Sequence, residues 1–499
     1  MEKYDAVIIG SGLGGLQCGY ILAKHGMNVC VIEKHSQPGG CMQSFRRGKH
    51  VFDTGFHYVG GLDRGQPLHR LFDYFGLLDL PWQRMDENGF DEVVINDRSY
   101  MFAGGYERFA ETLAEKFPHQ RKNLIRYAGF LRDISGNIFD SLLKNDKNVD
   151  FYGTSLFGKS AYDYLAATVD DPLLRNVLSG TSLKMELNPK TFPLYIFAQI
   201  NSSFIQSAWR LKGGGSQIVE SLVKSIRSMG GTVRLNAEAT RLNEVNGRIE
   251  TVEINNGEEL IQAGYFIANI HPSLAVSMID ESRRIRKIYR KRMNNLANTY
   301  GMFTANVALK KNIVPYLNRN IYVFNTDDLW KYADYKPENV NSCAMVSFHV
   351  PDDSSGYTTN IDILTPMYWD EVRQWDGTPV GRRGDDYVSY KKNKTEACLN
   401  LVSKHVPGLR DTDSAIENIY TSTSLSYRDY TGTPCGSAFG VRKNCDRLLT
   451  TLLSPRTPEP NMFLTGQNLN LHGVLGVSMT SFFTCSEIIG SDLAVKGLF

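Results

Sequence analysis

The chain has 499 residues, which at about 150 residues per domain makes two or three domains. Its 55 Lys plus Arg against 53 Asp plus Glu leave a net charge of +2, so no global field draws nucleic acid. A hydrophobic share of 42% with 22% charged residues excludes disorder, collagen-like repeats and coiled coil as the main architecture. The eight cysteines contain no C-x-x-C pair and the histidines no H-E-x-x-H, so reduced thiols in a cytoplasmic protein without bound metal are the expectation. No secretory signal precedes the first apolar run, and no window offers about 18 consecutive apolar residues, which points to a protein that is soluble or lies on a membrane surface.

Residues 4–9, Tyr-Asp-Ala-Val-Ile-Ile, read as a buried strand that runs into Gly10-Ser11-Gly12-Leu13-Gly14-Gly15, a G-x-G-x-x-G sequence. Leu16 to His25 reads as a helix stopped by Gly26, and Asn28 to Ile32 as a second strand ending on Glu33, with Lys34 next. Gly10 suits the tight turn, Gly12 the close approach of a pyrophosphate, and Gly15 the packing of helix on strand. The helix start supplies N–H groups and partial positive charge for phosphates, and Glu33 is placed to accept from ribose hydroxyls. This much fits either NAD or FAD. The extended run Pro38-Gly39-Gly40-Cys41-Met42-Gln43-Ser44-Phe45 and then Phe52 to Tyr58 suits a chain lying along a longer cofactor.

Further along, residues 106–150 and 159–200 read as helical, with periodic apolar positions such as Phe109, Leu113, Phe117, Leu124, Tyr127 and Leu131. Within this region Gly153 to Ser160 matches G-x-x-x-x-G-K-S, the phosphate loop of nucleotide triphosphatases. The charged and polar stretch Lys144 to Asp150 stands where such a loop needs a buried strand, so a loop leading into a helix at Ser160 is expected instead. Gly213-Gly214-Gly215-Ser216 precedes an amphipathic stretch, Gln217 to Met229. Strand-like runs follow at 232–235, 239–245 and 249–254, parted by Asn246-Gly247 and Asn255-Asn256-Gly257. The basic run Arg283 to Arg292 is expected to be a solvated helix face, with a patch for anionic lipid headgroups as the second reading. Residues 300–370 alternate and carry β-rich runs at 344–348 and 359–364.

Near the C-terminus Asn461 to Gln467 reads as a strand entering a turn that includes Gly466, and Gly473-Val474-Leu475-Gly476-Val477-Ser478 as a glycine-entered helix. Such a helix start could face the anionic charge of a reduced flavin, and with the Gly39-Gly40-Cys41 segment it decides for FAD.

These motifs, in this order along nearly the whole chain, resemble the family of FAD-dependent oxidoreductases that holds phytoene desaturases, all-trans-retinol 13,14-reductases (retinol saturases) and carotenoid isomerases. Phe52-Asp53-Thr54-Gly55-Phe56-His57-Tyr58-Val59-Gly60 is similar to the saturase version. The resemblance implies an α/β fold: a discontinuous Rossmann-like FAD-binding domain of about 1–75, 205–275 and 425–499, with an inserted α+β substrate-binding domain of 76–204 and 276–424. It further implies that Ala239 offers its backbone to the adenine and that His57 and Tyr58 line the catalytic face. His472 stands where desaturases carry His-Pro-Gly, and the missing proline puts a carried-over role in doubt. Cys41 is expected to be a small packing residue rather than an activated thiolate.

The function expected is hydride transfer, by way of FAD, to or from C–C and C=C bonds of a lipophilic polyene or isoprenoid, in the saturase or desaturase sense. An external electron donor or acceptor would complete the cycle, and peripheral contact with a membrane would deliver the substrate. An FAD-dependent amine oxidase is the alternative, and a phosphate-loop hydrolase the third reading.

Overall fold

The computed structural model describes residues 1–136, 155–280, 282–333, 336 and 340–498. The first sheet grows from β1 (Glu2–Ile9), β2 (Val29–Ile32), β10 (Thr232–Arg234), β11 (Ala239–Val245), β12 (Arg248–Ile254), β13 (Glu259–Ala268) and β19 (Met462–Leu464). Its order is β10-β2-β1-β13-β12-β11, with β19 on β13. The pairs β10·β2, β2·β1, β1·β13 and β13·β19 are parallel, and β11 and β12 form an antiparallel hairpin on the far edge. The inner ends of β1 and β2 are fully buried, as a parallel sheet covered on both faces requires. The three predicted strands of the 232–254 block and the two at the start of the chain thus share one sheet, although about 200 residues separate them in sequence. The turns between them use left-handed backbone at Asn246, Gly247, Asn255, Asn256 and Gly257, which the side chains of Asn and the bare Gly tolerate.

Helices α1 (Leu13–Lys24), α8 (Ser216–Ser228) and α12 (Gly473–Ile489) cover one face of this sheet through Leu16, Ile21, Leu222, Ile226 and Phe482. Helix α1 begins at Leu13 rather than at Leu16. Gly14 and Gly15 are poor helix formers, so periodicity hides them, and they are held helical by packing against Asn269 and Gly10.

The second sheet has the order β18-β14-β17-β16-β15-β7-β8, built from β7 (Asp91–Ile95), β8 (Arg98–Phe102), β14 (Gly301–Leu309), β15 (Asn320–Phe324), β16 (Cys343–Phe348), β17 (Asn360–Met367) and β18 (Ile416–Ser422). All its pairings are antiparallel except β15·β7. Two small ladders join the sheets: β3 (Ser44–Arg47) with β4 (His50–Asp53), and β9 (Ala208–Leu211) between β5 (Val59–Gly60) and β6 (Trp82–Arg84). The architecture is the expected α/β one, a Rossmann-like unit with an inserted α+β part.

The helical region 106–200 is broken into α3 (Tyr106–Lys116), α4 (Arg121–Gly136), α5 (Ala161–Thr168), α6 (Pro172–Leu178) and α7 (Leu194–Gln206). Pro118 and Pro172 set two of the breaks, and Asp171 caps α6 by accepting the N–H groups of Leu173 and Leu174. Residues 137–150 of the predicted helix lie outside the described residues, as do Gly153 and Thr154 of the phosphate-loop match. In the remainder of that match Ser155–Phe157 are helical, and Ser160 is the N-cap of α5, accepting from the Asp163 N–H at 3.2 Å. The basic run differs from expectation: only α10 (Lys287–Asn294) is helical, and arginines on both sides of its start are occupied by carbonyl oxygens. Arg284 donates to Gly247, Arg290 to Val276, Ile279 and Asp280, and Arg292 to Leu449, so much of this charge braces loops instead of facing solvent alone.

Candidate functional site

Between the sheets lies a cavity of about 1100 Å³ that reaches from the end of β1 to the second sheet. Gly10, Gly12, Leu13 and Gly14 form one wall. Gly12 is the N-cap of α1 and forms a parallel bridge to Gly39, and a Cβ on Gly40 would come within 3.4 Å of the Gly12 Cα. A side chain at either place would fill the floor of the groove. Leu13 and Gly14 are the first helical residues, so their N–H groups have no intrahelical acceptor and remain free for an anion.

Ser11 and Glu33 hold this wall together. One Glu33 carboxylate oxygen accepts from the Ser11 N–H at 3.1 Å and from its hydroxyl at 2.6 Å, and the other accepts from the His35 N–H at 3.0 Å. The Ser11 hydroxyl oxygen in turn accepts from the Gly39 N–H at 3.1 Å. Ser11, Gly15 and Gly476 are buried behind the lining rather than in it, whereas Glu33, Lys34, Gly39, Gly40, Cys41, Ala239, Gly466, Gln467 and Val477 all face the cavity. Ala239 is brought there because the Ala237 N–H donates to the Glu33 carbonyl at 2.8 Å. Across the groove, Gly473, Val474 and Leu475 present the N-terminal turn of α12. The donor set of free helix N–H groups, a buried carboxylate and a bare glycine floor fits a dinucleotide.

At the inner end His57 and Tyr58 both line the cavity. Tyr58 donates to an Asp91 carboxylate oxygen at 2.7 Å, lies 2.7 Å from the Tyr322 hydroxyl, and accepts from the Lys184 ammonium at 2.8 Å. Lys184 Nζ is 3.5 Å from Asp91 and 3.8 Å from the centre of the Phe204 ring. Asn320 donates to the other Asp91 oxygen at 2.8 Å, and Arg210 fixes Asn320 by donating to its side-chain oxygen at 2.8 Å. Burial lowers Lys184 to about 8, against the pull of Asp91. Burial also raises Asp91 above the usual carboxylate range, with Lys184, Asn320 and Tyr58 opposing.

His57 belongs to a different group. Its Nδ1 is 3.7 Å from Asp362, whose two oxygens are taken by His349 at 2.7 Å and Asn306 at 2.6 Å. Burial lowers His57, with Asp362 opposing, so the ring is neutral near neutral pH. Cys41 is a thiol raised to about 11 by burial, which argues against thiolate chemistry. His472 is the N-cap residue of α12 and its Nε2 lies 2.9 Å from the Lys184 carbonyl, which orients the lysine's backbone.

Lys184, Asp91 and Tyr322 were not legible as site residues. Lys184 sits in a short 3-10 turn, Ser182–Lys184, with no motif around it, and Asp91 and Tyr322 are single polar positions inside strands whose burial only the second sheet creates.

His271 also lines the cavity and caps the short helix Pro272–Ser277 by accepting from the Ser273 N–H. Burial lowers it from 6.5 to about 4. The folded chain therefore keeps this ring neutral while the unfolded chain takes up a proton below pH 6.5. Its contribution is intact above 6.5 and is lost as the pH falls toward 4, amounting to about 3 kcal/mol at most. His271→Asn, which keeps a capping oxygen, is expected to flatten that part of the acid limb in melting curves recorded between pH 4 and 7. An unchanged limb would show that the neutral ring does not matter.

The described residues contain no cluster of His, Cys, Asp and Glu suited to a metal, and no helix among them is long and apolar enough to cross a membrane. The NAD(P)-binding Rossmann-like domain family matches residues 8–75, the stretch that carries β1, α1, β2 and the Gly39-Gly40 segment. All-trans-retinol 13,14-reductase of Rattus norvegicus is 25% identical over 99% of this chain and 86% of its own length. Prolycopene isomerase of Daucus carota is 22% identical over 99% of this chain and 81% of its own. Over nearly its full length the chain is similar to oxidoreductases and isomerases named for retinol and carotenoids. Within solved structures, a putrescine oxidase variant superposes with a TM-score of 0.65 at 15% identity, covering 98% of this chain and 99% of that one. That likeness shows that this chain has the fold of putrescine oxidase.

Proposed function

We propose that this protein is an FAD-dependent oxidoreductase acting on C–C and C=C bonds of a lipophilic polyene or isoprenoid, as a saturase or desaturase. The observation that carries this reading is one continuous cavity with a dinucleotide cradle at one end and Phe204, Met302, Met345, Leu364, Phe439 and Leu471 in its lining at the other. Such a shape suits a long cofactor meeting an apolar substrate. In this reading 1–75, 205–275 and 425–499 hold FAD, and 76–204 and 276–424 shape the substrate space. The N–H groups of Leu13 and Gly14 take the pyrophosphate, Glu33 the ribose and the Ala239 backbone the adenine. Gly39, Gly40, Cys41, Gly466, Gln467 and Val477 border the flavin half.

FAD, when bound, supplies hydride chemistry that side chains lack. The chain's own residues do the rest. The first turn of α12 sets a positive dipole end against negative charge. The Met and Phe lining excludes water and holds the polyene by shape. His57, neutral and 3.7 Å from Asp362 without a hydrogen bond to it, gives the catalytic end a polar edge without a charge. Saturation draws on an outside electron donor, and delivery of the substrate from a bilayer is part of the same proposal.

The amine-oxidase alternative is less well supported. Among the described lining residues the carboxylates are Glu33 and Glu238, both beside the nucleotide cradle, and the charged group at the apolar end is Lys184. A cationic amine would find no counter-charge there.

The test is the visible spectrum of the purified protein, chromatography of the heat-released cofactor, and anaerobic mixing with polyenes. Flavin bands bleached by a polyene show a desaturase; reoxidation of pre-reduced protein by a polyene shows a saturase. A colourless protein that binds no added FAD would refute the proposal. Glu33→Ala removes the ribose acceptor and strands the Ser11 N–H, a loss of about 1.5–3 kcal/mol. Its FAD dissociation constant, from fluorescence titration, should rise at least ~10-fold.

A further inference from the structure

The redox reading assigns the hydride to a cofactor but leaves the proton without an owner. Adding hydrogen across a double bond needs both: a hydride forms one C–H bond, the π pair moves to the neighbouring carbon, and a proton completes the second C–H bond. The inner end of the cavity holds one group built to give that proton. Lys184 is almost enclosed, its Nζ points between Tyr58 and Phe204, and both of these rings and the lysine itself line the cavity. It is not a simple structural ion pair, since Tyr58 lies nearer to its ammonium, at 2.8 Å, than the Asp91 carboxylate does, at 3.5 Å.

We propose that Lys184 is the acid that protonates the substrate carbon during saturation, and the base that removes that proton during desaturation, with Tyr58 and Asp91 as positioning residues; this rests on the oxidoreductase reading above. The hydride and its electron pair come from a reduced flavin, the proton from the Lys184 ammonium, and the lysine is left as a neutral amine that solvent reprotonates. The carbon pair is thus reduced by the two hydride electrons that the flavin loses, and the lysine nitrogen keeps its oxidation state. The arrangement explains the position of each neighbour. Asp91 from β7 keeps the lysine charged when it is unused, and Tyr58 and Tyr322 from β15 hold it at one angle. Arg210 from β9 holds Asn320 by a hydrogen bond and also opposes the raised Asp91 by its charge, while the His472 ring fixes the lysine's backbone. Burial brings the lysine to about 8, so it is charged at neutral pH and gives its proton up readily.

The experiment uses the flavin-loaded protein and a polyene that the wild type reduces, so that wild-type turnover tests the oxidoreductase reading first. Lys184→Met should keep its flavin spectrum and lose turnover by about 10²–10⁴-fold, the usual worth of a general acid. In the wild type kcat/KM should be level below pH 8 and fall above it, because the charged lysine is the active form. That basic limb should be missing from the residual activity of Lys184→Met, and added ethylamine should restore part of the turnover of Lys184→Ala. Tyr58→Phe keeps the lysine but removes its nearest acceptor, and should move the limb to lower pH. A readout independent of turnover is cyanoborohydride trapping of all-trans-retinal, which should attach the polyene to Lys184 in peptide mass maps. Lys184→Met turnover within about threefold of wild type, an unmoved limb in Tyr58→Phe, or retinal attached only to other lysines would each overturn the assignment while leaving the oxidoreductase reading intact.

Discussion

Gly15→Ala is expected to yield a folded protein that comes off the column nearly colourless. A Cβ at this position would stand 2.1 Å from the Gly10 carbonyl oxygen, a distance no packed carbon tolerates, and the obstacle is backbone rather than a side chain that can swing away. Helix α1 must therefore lift from β1, and it carries with it Leu13 and Gly14, whose N–H groups face the cavity. Gly15 itself does not line the cavity, so the effect on the cofactor is wholly one of displacement. Overpacking of this kind costs about 1–3 kcal/mol. If the upper half of that range falls on binding, FAD affinity drops by about 30–150-fold. The natural control is Gly129→Ala, in the middle of α4, where an added Cβ meets nothing within 4 Å and helix propensity improves. Flavin-to-protein ratios from absorbance, with circular dichroism to show that both variants are folded, decide the matter. Full flavin content in Gly15→Ala would mean that the glycine fingerprint is not what holds the dinucleotide.

The second large effect is expected far from any motif. Arg210 is 2% exposed and spends its guanidinium on the carbonyls of Leu317 and Arg319, the Asn320 side chain and the Tyr316 hydroxyl. It thereby ties β9 to the chain entering β15, and sets the Asn320 amide that in turn holds Asp91. Arg210→Met has similar length but leaves these acceptors buried without a donor, and takes away one of the positive charges that face Asp91. Removing one partner from a buried charged network costs about 3–5 kcal/mol, more than the flexible apolar chain regains. Arg210→Lys should recover little of it, since a single ammonium cannot span acceptors that a planar fork reaches together. Urea unfolding of the three proteins measures this directly. A loss below about 1 kcal/mol for the Met variant would show the carbonyl cage to be satisfied in some other way.

The two predictions draw on different kinds of information. Gly15 was readable at once, because the fingerprint from Gly10 to Gly15, the strand before it and Glu33 after β2 are local: their spacing follows from one turn between one strand and one helix. The same is true of the 239–254 hairpin, whose turn carries Asn246-Gly247, of the Asn255-Asn256-Gly257 turn after it, and of the helix entered at Gly473. Where local reading slipped, tertiary packing had overridden propensity. Gly14 and Gly15 are helical because Asn269 and the Gly10 carbonyl crowd them, and in the basic run, helical only from Lys287, Arg284 and Arg290 donate to carbonyls brought from elsewhere.

The polar centre at the inner end could not be read in the same way. Tyr58 stood out through the motif around it, but the groups that give it chemical meaning are distant in sequence: Lys184 is 126 residues away and Tyr322 is 264. No periodicity or spacing marks a lysine in a three-residue turn as buried, or an aspartate at the start of a strand as its counter-ion. The sequence by itself determined the nucleotide fold and the cradle, because turn chemistry, helix starts and strand alternation are properties of neighbouring residues. Only the tertiary structure decided which ionisable groups share one apolar pocket, because desolvation and charge pairing depend on what the packed sheets bring within a few ångströms of each other.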